Sequence, residues 1–135
     1  MPADFFIDVG SGVVFSKAIG VLTRADILRH REGLLHHPAF RPTFNQLLDF
    51  REVTRVALSG EQIRELAQRT VFSAHSMRAF VASSEELYGV GRMFSIYREI
   101  EGEAGVKIYR EMNGALSWLS LSAEPDSRSF SNFRE

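Results

Sequence analysis

LLDFREVTRVALSGEQIRELAQRTVF, Leu47 to Phe72, reads as a buried strand, a polar loop, a Ser-Gly pair and then an amphipathic helix. Leu47, Leu48 and Phe50 put the strand at roughly Asn45 to Phe50. Ser59 stands where a helix N-cap belongs, and Gln62 three residues on completes a capping box. Ile63, Leu66, Ala67, Thr70 and Val71 then form an apolar stripe opposite Glu61, Arg64, Glu65 and Gln68, so the helix packs one face and solvates the other. This step from strand to capped helix is the unit of α/β sheets, and it places the Ser59 hydroxyl where the helix dipole favours negative charge.

Outward from this unit the alternation repeats. Upstream, Phe5, Ile7 and Val9 alternate with Phe6 and Asp8, Gly10-Ser11-Gly12 interrupts, and Val13, Phe15, Ile19 and Val21 resume, which predicts a β-hairpin. Thr23 caps a first helix with Asp26 as its capping-box partner, and Ile27, Leu28, Arg31, Leu34 and Leu35 recur at helical spacing until Pro38 ends it. His37 to Phe44, with two prolines, is a fixed connector. Downstream, Met77 to Ala82 is a short buried strand, and Ser83-Ser84-Glu85-Glu86 begins a third helix that runs to about Glu101. Gly102 and Gly105 break the chain, Val106 to Arg110 forms a fifth strand, and Asn113 caps a last helix holding Leu116, Trp118, Leu119 and Leu121.

The order is therefore ββαβαβαβα and the class α/β. It predicts a mixed five-stranded sheet with an opening antiparallel hairpin, later strands parallel through right-handed crossovers, and helices packed on the sheet. Residues 1–121 are expected to form a single domain. From Ser122 the composition shifts to Ser, Pro, Asp, Arg and Glu, so residues 122–135 are expected to be a loose tail with only Phe130 and Phe133 as apolar anchors.

Of the 135 residues, 44% are hydrophobic and 24% charged, the mixture of an ordinary globular chain. A formal charge of -1 argues against non-specific nucleic-acid binding, which needs a surplus of Lys and Arg. The absence of cysteine excludes disulfides, thiolate nucleophiles and Cys-based zinc sites. MPADFFIDVG has no basic start followed by a long apolar run, and no apolar stretch reaches the roughly 20 residues that span a bilayer, so a cytoplasmic location without membrane insertion is expected.

Several stretches resemble the SpoIIAA-like proteins, relatives of the STAS domain found in anti-sigma factor antagonists and in the cytoplasmic tails of sulfate transporters. They are Pro38, Phe40, Pro42, Phe44, Leu48, Asp49, Arg51 and Val53; Arg78 to Ala82; Gly89, Arg92 and Met93; and Ala115, Trp118 and Leu119. The resemblance covers about Ile7 to Leu121 and implies the STAS-like fold, which is also similar to the Sec14 lipid-carrier domain. In anti-sigma factor antagonists a serine before a glycine at the start of the helix after the third strand accepts a phosphate, and Ser59-Gly60 matches that pair. The family pattern there is Asp-Ser-Ser-Gly; here it is Ala57-Leu58-Ser59-Gly60, without the acid and the first serine.

Candidate sites follow from position. Asp49, Arg51 and Glu52 come after the third strand as read here, and Ser83, Ser84, Arg110 and Asn113 lie at the ends of the next two, where open α/β sheets place their ligand crevice. Arg51 or Arg92 would hold an anionic group there, while an Asp49–Arg51 turn lock is the plainer reading. In the third helix Leu87, Val90, Met93, Phe94, Ile96, Tyr97 and Ile100 cover about half the circumference, more than one packed stripe needs. The excess around Arg92, Met93, Ile96 and Tyr97 lines a pocket, meets a second subunit, or packs under the last helix. Four histidines, His30, His36, His37 and His75, have no carboxylate spacing that would complete a metal site, and no cofactor loop is present. A serine, a histidine and an acid occur, but nothing in the sequence places them together, so no catalytic residue is assigned.

The leading expectation is a non-enzymatic module that binds a protein partner or itself, as in a homodimer, through the side of the second and third helices. Alternatives are a carrier or sensor of a small apolar or lipid-like ligand held between the third helix and the sheet, and a phospho-switch at Ser59.

Overall fold

The opening hairpin pairs β1 (Ala3–Asp8) antiparallel to β2 (Val13–Thr23), with Phe6 opposite Phe15, in a computed structural model that describes residues 3–103 and 105–130. Thr23 caps α1 (Arg24–Leu35), and Asp26 closes the capping box by accepting from the Thr23 backbone N–H at 2.9 Å. β3 (Asn45–Ala57), α2 (Gly60–Ala67), β4 (Arg78–Val81), α3 (Glu85–Ile100), β5 (Val106–Tyr109) and α4 (Met112–Trp118) follow. The sheet order is β1-β2-β3-β4-β5, antiparallel only at the hairpin.

Alternation along the strands sorts the two faces. Val14, Ala18, Gln46, Leu48, Arg78 and Phe80 face α1, α2 and α3, whereas Val13, Phe15, Leu47, Ala79 and Val81 pack against Met112, Ala115, Leu116 and Leu119. Buried on both sides, β4 is continuous in its burial, as parallel strands covered by helices are.

Three readings change. The third strand does not stop at Phe50 but continues to Ala57, because the eleven-residue β2 runs beside it to Thr23↔Ala57. Two register shifts make this possible, and Gly20, at φ +70° beside the second, adopts the left-handed conformation the irregularity requires. Asp49, Arg51 and Glu52 therefore lie within the strand rather than after it. Asn113 is not the cap of α4: the helix starts at Met112, whose buried side chain sets the entry, and Glu111 is the cap residue without a side-chain hydrogen bond. The segment expected to be loose from Ser122 is docked as far as Phe130, which is 4% exposed, meets Phe6 edge-on at 5.2 Å and joins the α4-side core. Phe133 lies outside the described residues.

Candidate functional site

Between α1, α2, α3 and the sheet lies a cavity of about 140 Å³. Its walls are Leu22 and Ile27 from the β2–α1 side, Ile63 and Leu66 from α2, Leu48 and Phe80 from the sheet, and Val90 and Phe94 from α3. The periodicity that makes α2 and α3 amphipathic supplies these walls. Gly91, also lining it, lets α3 approach the sheet closely, since a Cβ there would stand 3.0 Å from Ile108 Cδ1.

The floor is polar. β3 and β4 pair with Gln46 opposite Arg78, so both side chains project to the helix face. Arg78 Nε donates to Gln46 Oε1 at 3.1 Å, and Gln46 Nε2 donates to Ser16 Oγ at 3.1 Å. Ser16 Oγ lies 2.8 Å from His30 Nε2. Burial, reinforced by the Arg78 cation and opposed by Asp4, pushes His30 down to about 4, so it is neutral at neutral pH. Phe72, Phe80 and Phe94 surround the Arg78 guanidinium at 4.6, 5.5 and 5.6 Å.

Beneath the floor Arg78 shares Glu103 with Arg98. Arg98 Nε donates to Glu103 Oε2 at 2.6 Å and Arg98 Nη1 to the Ala67 carbonyl at 2.5 Å, which satisfies a carbonyl at the C-terminus of α2. Glu103 Oε1 lies 3.6 Å from Arg78 Nη1 and has no hydrogen-bond partner among the described residues. Burial pulls the Arg78 guanidinium down to about 10, with Glu103 opposing and Arg98 reinforcing, so it stays protonated at neutral pH.

Ser16 and His30 form a serine–histidine pair that the sequence did not place together. Ser16 is 1% exposed and is not among the residues that line this cavity, and its bond to His30 fixes the floor. His30 and His37 both meet the edge of Phe5, at 5.3 and 5.9 Å. Among the described residues no group of three or more His, Asp or Glu side chains is placed to hold a metal, and no helix is long and apolar enough to cross a membrane.

The sequence-predicted residues fall in three places. Asp49 and Arg51 come together on the α4 side of the sheet, away from the cavity: Arg51 Nε and Nη2 reach Asp49 Oδ1 and Oδ2 at 3.0 and 2.9 Å, and Nη2 also reaches Glu124 at 2.7 Å. These bonds, to Asp49 first, hold the guanidinium above its ordinary range and occupy it. Ser59 is exposed at the N-cap of α2, its Oγ accepting from Gln62 N at 3.1 Å, and Ser83 is exposed after β4. Arg92, Met93, Ile96 and Ile100 are exposed on the outer side of α3, and Tyr97 is half-buried there. Neither Arg51 nor Arg92 lines the cavity, so the cation at its polar end is Arg78, which the sequence reading named only within the Arg78 to Ala82 stretch.

No family model and no curated protein matches the chain. Among solved structures it is similar to an uncharacterised Shewanella loihica protein of the DUF3478 family with a SpoIIAA-like fold, at 18% identity and a TM-score of 0.58, over 87% of this chain and 93% of that one. The chain thus has a SpoIIAA-like fold, the mixed sheet that the proline-framed connector and the RAFVA strand resemble in sequence.

Proposed function

We propose that the chain is a non-catalytic binding module that takes a small apolar ligand into the cavity between α1, α2, α3 and the sheet. The cavity itself carries this reading. Its walls are almost wholly apolar, so an apolar occupant is favoured there over water. An engineered apolar cavity of about 150 Å³ takes up benzene, which sets the occupant at one ring or a short chain. The test is titration of the isotope-labelled protein with benzyl alcohol by NMR. Saturable shifts at Leu48, Phe80, Val90 and Phe94 are expected, and Val90→Trp is expected to abolish them; a wild-type spectrum unchanged at millimolar ligand refutes the reading.

A second reading concerns association, and the outer side of α3 supports it. Met93, Ile96 and Ile100 are 37%, 48% and 74% exposed at spacings of three and four, with Arg92 and Glu99 flanking them seven residues apart. Two copies of α3 packed antiparallel about Ile96 set each Arg92 beside the other copy's Glu99, a self-complementary pairing. Sedimentation is expected to find a dimer that Ile96→Glu converts to monomer; a monomeric wild type, or an unchanged profile in the variant, refutes this.

A further inference from the structure

We infer that the cavity selects an apolar monoanion: a small carboxylate whose ring or short chain lies among Leu48, Phe80, Val90 and Phe94 and whose oxygens accept from Arg78 Nη2. This rests on the cavity being a ligand site and adds the ligand's charge, size and anchoring residue.

Charge comes first. The buried cluster under the cavity holds two cations, Arg78 and Arg98, and one anion, Glu103, with side chains 8%, 6% and 0% exposed. Two positive charges against one negative leave +1 in a region from which water is largely excluded, and His30, held neutral, adds none. An uncompensated buried charge is costly, and one negative charge on the ligand neutralises it. A dianion would overshoot to -1, which favours a carboxylate over a phosphate.

The cavity wall points the same way. Arg31, Arg69 and Arg78 line it and no aspartate or glutamate does, although the chain as a whole has 17 acidic and 16 basic residues. Arg31 Nη1 donates to the Arg69 carbonyl at 2.9 Å, which places the first two together toward the exposed rim while Arg78 closes the floor. An entering anion thus meets arginines at both mouth and floor, the rim pair having Glu65 nearby and the floor the net positive charge.

The anchor has a vacant donor. Arg78 Nε is taken by Gln46 and Nη1 lies 3.3 Å from Thr70 Oγ1, but no described residue accepts from Nη2. The three phenylalanines and the Gln46 bond fix the plane of the guanidinium, so a carboxylate meets an oriented donor. An alcohol of the same shape gains no charge compensation there, and an amine is repelled.

The test compares benzoate, benzyl alcohol and benzylamine against the full chain at neutral pH by calorimetry and NMR. Benzoate is expected to bind at least about tenfold more tightly than benzyl alcohol, the margin of a charge-assisted hydrogen bond, and benzylamine most weakly. Arg78→Gln is expected to remove the preference, bringing the ratio of benzoate to benzyl alcohol affinity to about one; a ratio that stays at about tenfold overturns the anchor. Should that variant fail to fold, a crystal structure of the wild-type benzoate complex decides: a carboxylate oxygen on Arg78 Nη2 supports the inference, and a carboxylate on the Arg31–Arg69 rim overturns it. Benzyl alcohol binding as tightly as benzoate overturns the anion preference but keeps the ligand site, whereas no binding by any of the three overturns both. Palmitate, much larger than the cavity, is expected not to compete; competition would make a lipid acyl chain the occupant and overturn the size limit.

Discussion

Replacing Glu103 by Gln removes the one negative charge facing Arg78 and Arg98 while keeping the side chain's shape. The two lost attractions act over 3.6 and 2.6 Å between polar atoms. At an effective dielectric of about 20, unit charges 4 Å apart interact by about 4 kcal/mol. Both pairs together bound the loss at about 8 kcal/mol, and broken buried ion pairs typically cost about 3–5. Arg98 keeps its bond to the Ala67 carbonyl, so we expect about 3–4 kcal/mol, a large share of the 5–15 kcal/mol that ordinarily holds a domain folded. The assay is urea unfolding followed by fluorescence of the single tryptophan, Trp118, half-buried beside Tyr109, together with circular dichroism. The midpoint should fall with an unchanged slope. Adding Arg78→Met, which replaces one cation by an apolar chain, should recover half or more of the loss, with a coupling of about 1–3 kcal/mol. A single variant that loses less than about 1 kcal/mol, or a double variant no more stable than the single, would refute the claim that Glu103 offsets the charge of the two arginines.

Gly105→Ala puts a Cβ 2.2 Å from the Ser76 carbonyl oxygen, next to the 2.7 Å bond from Arg78 N to Gly105 O; a loss of at least about 2 kcal/mol, read as a clear fall in Tm, is expected. Ser59→Ala opens the capping box of the eight-residue α2 and should cost about 1 kcal/mol in urea unfolding, with Ser59→Asp nearly neutral; equal stability of the alanine variant argues against the cap. His30 is pushed from 6.5 to about 4 in the folded chain, so between those values the unfolded chain binds more protons. Its contribution is therefore complete above about pH 7 and falls as pH drops through 6.5 toward 4, by about 3 kcal/mol at most. Against wild type, His30→Gln should flatten the stability profile across that window, and parallel profiles would exclude His30 as the source.

Local chemistry made much of the fold legible. Thr23 with Asp26 and Ser59 with Gln62 are complete capping boxes within four residues, and the β-hairpin alternates around glycines. What escaped depends on distant partners. The extension of β3 beyond Phe50 follows from pairing with the far half of β2 across register shifts, so Arg51, Glu52 and Arg55 look like a loop although they are strand residues facing solvent. The site was harder to see for the same reason. Asp49 and Arg51 are two apart on one strand and their lock was readable, but both faces of that strand are covered, so alternation alone does not say which face holds a cavity. Arg78 announces itself only as a charge in an apolar strand; its role comes from Gln46 on the neighbouring strand and Glu103 in the loop before β5. Arg98 resembles a solvated helix charge until α2 is placed beneath it.

The charged cluster is not explained by stability alone, because a buried ion pair rarely outperforms apolar residues of the same volume. Its geometry does two other things. Through Arg98, Glu103 ties α3 and the loop before β5 to the Ala67 carbonyl at the end of α2, fixing the spacing between the two helices that wall the cavity. Through Arg78, the same carboxylate holds a cation at the cavity floor at a distance too long for a hydrogen bond, so it lowers the cost of burying that cation without occupying Nη2. On the proposed reading, a closer Glu103–Arg78 pair would be the better lock and the worse anion receptor. At 2.6 Å from Arg98 and 3.6 Å from Arg78, one acid serves both cations, more closely the one that ties α3 to α2.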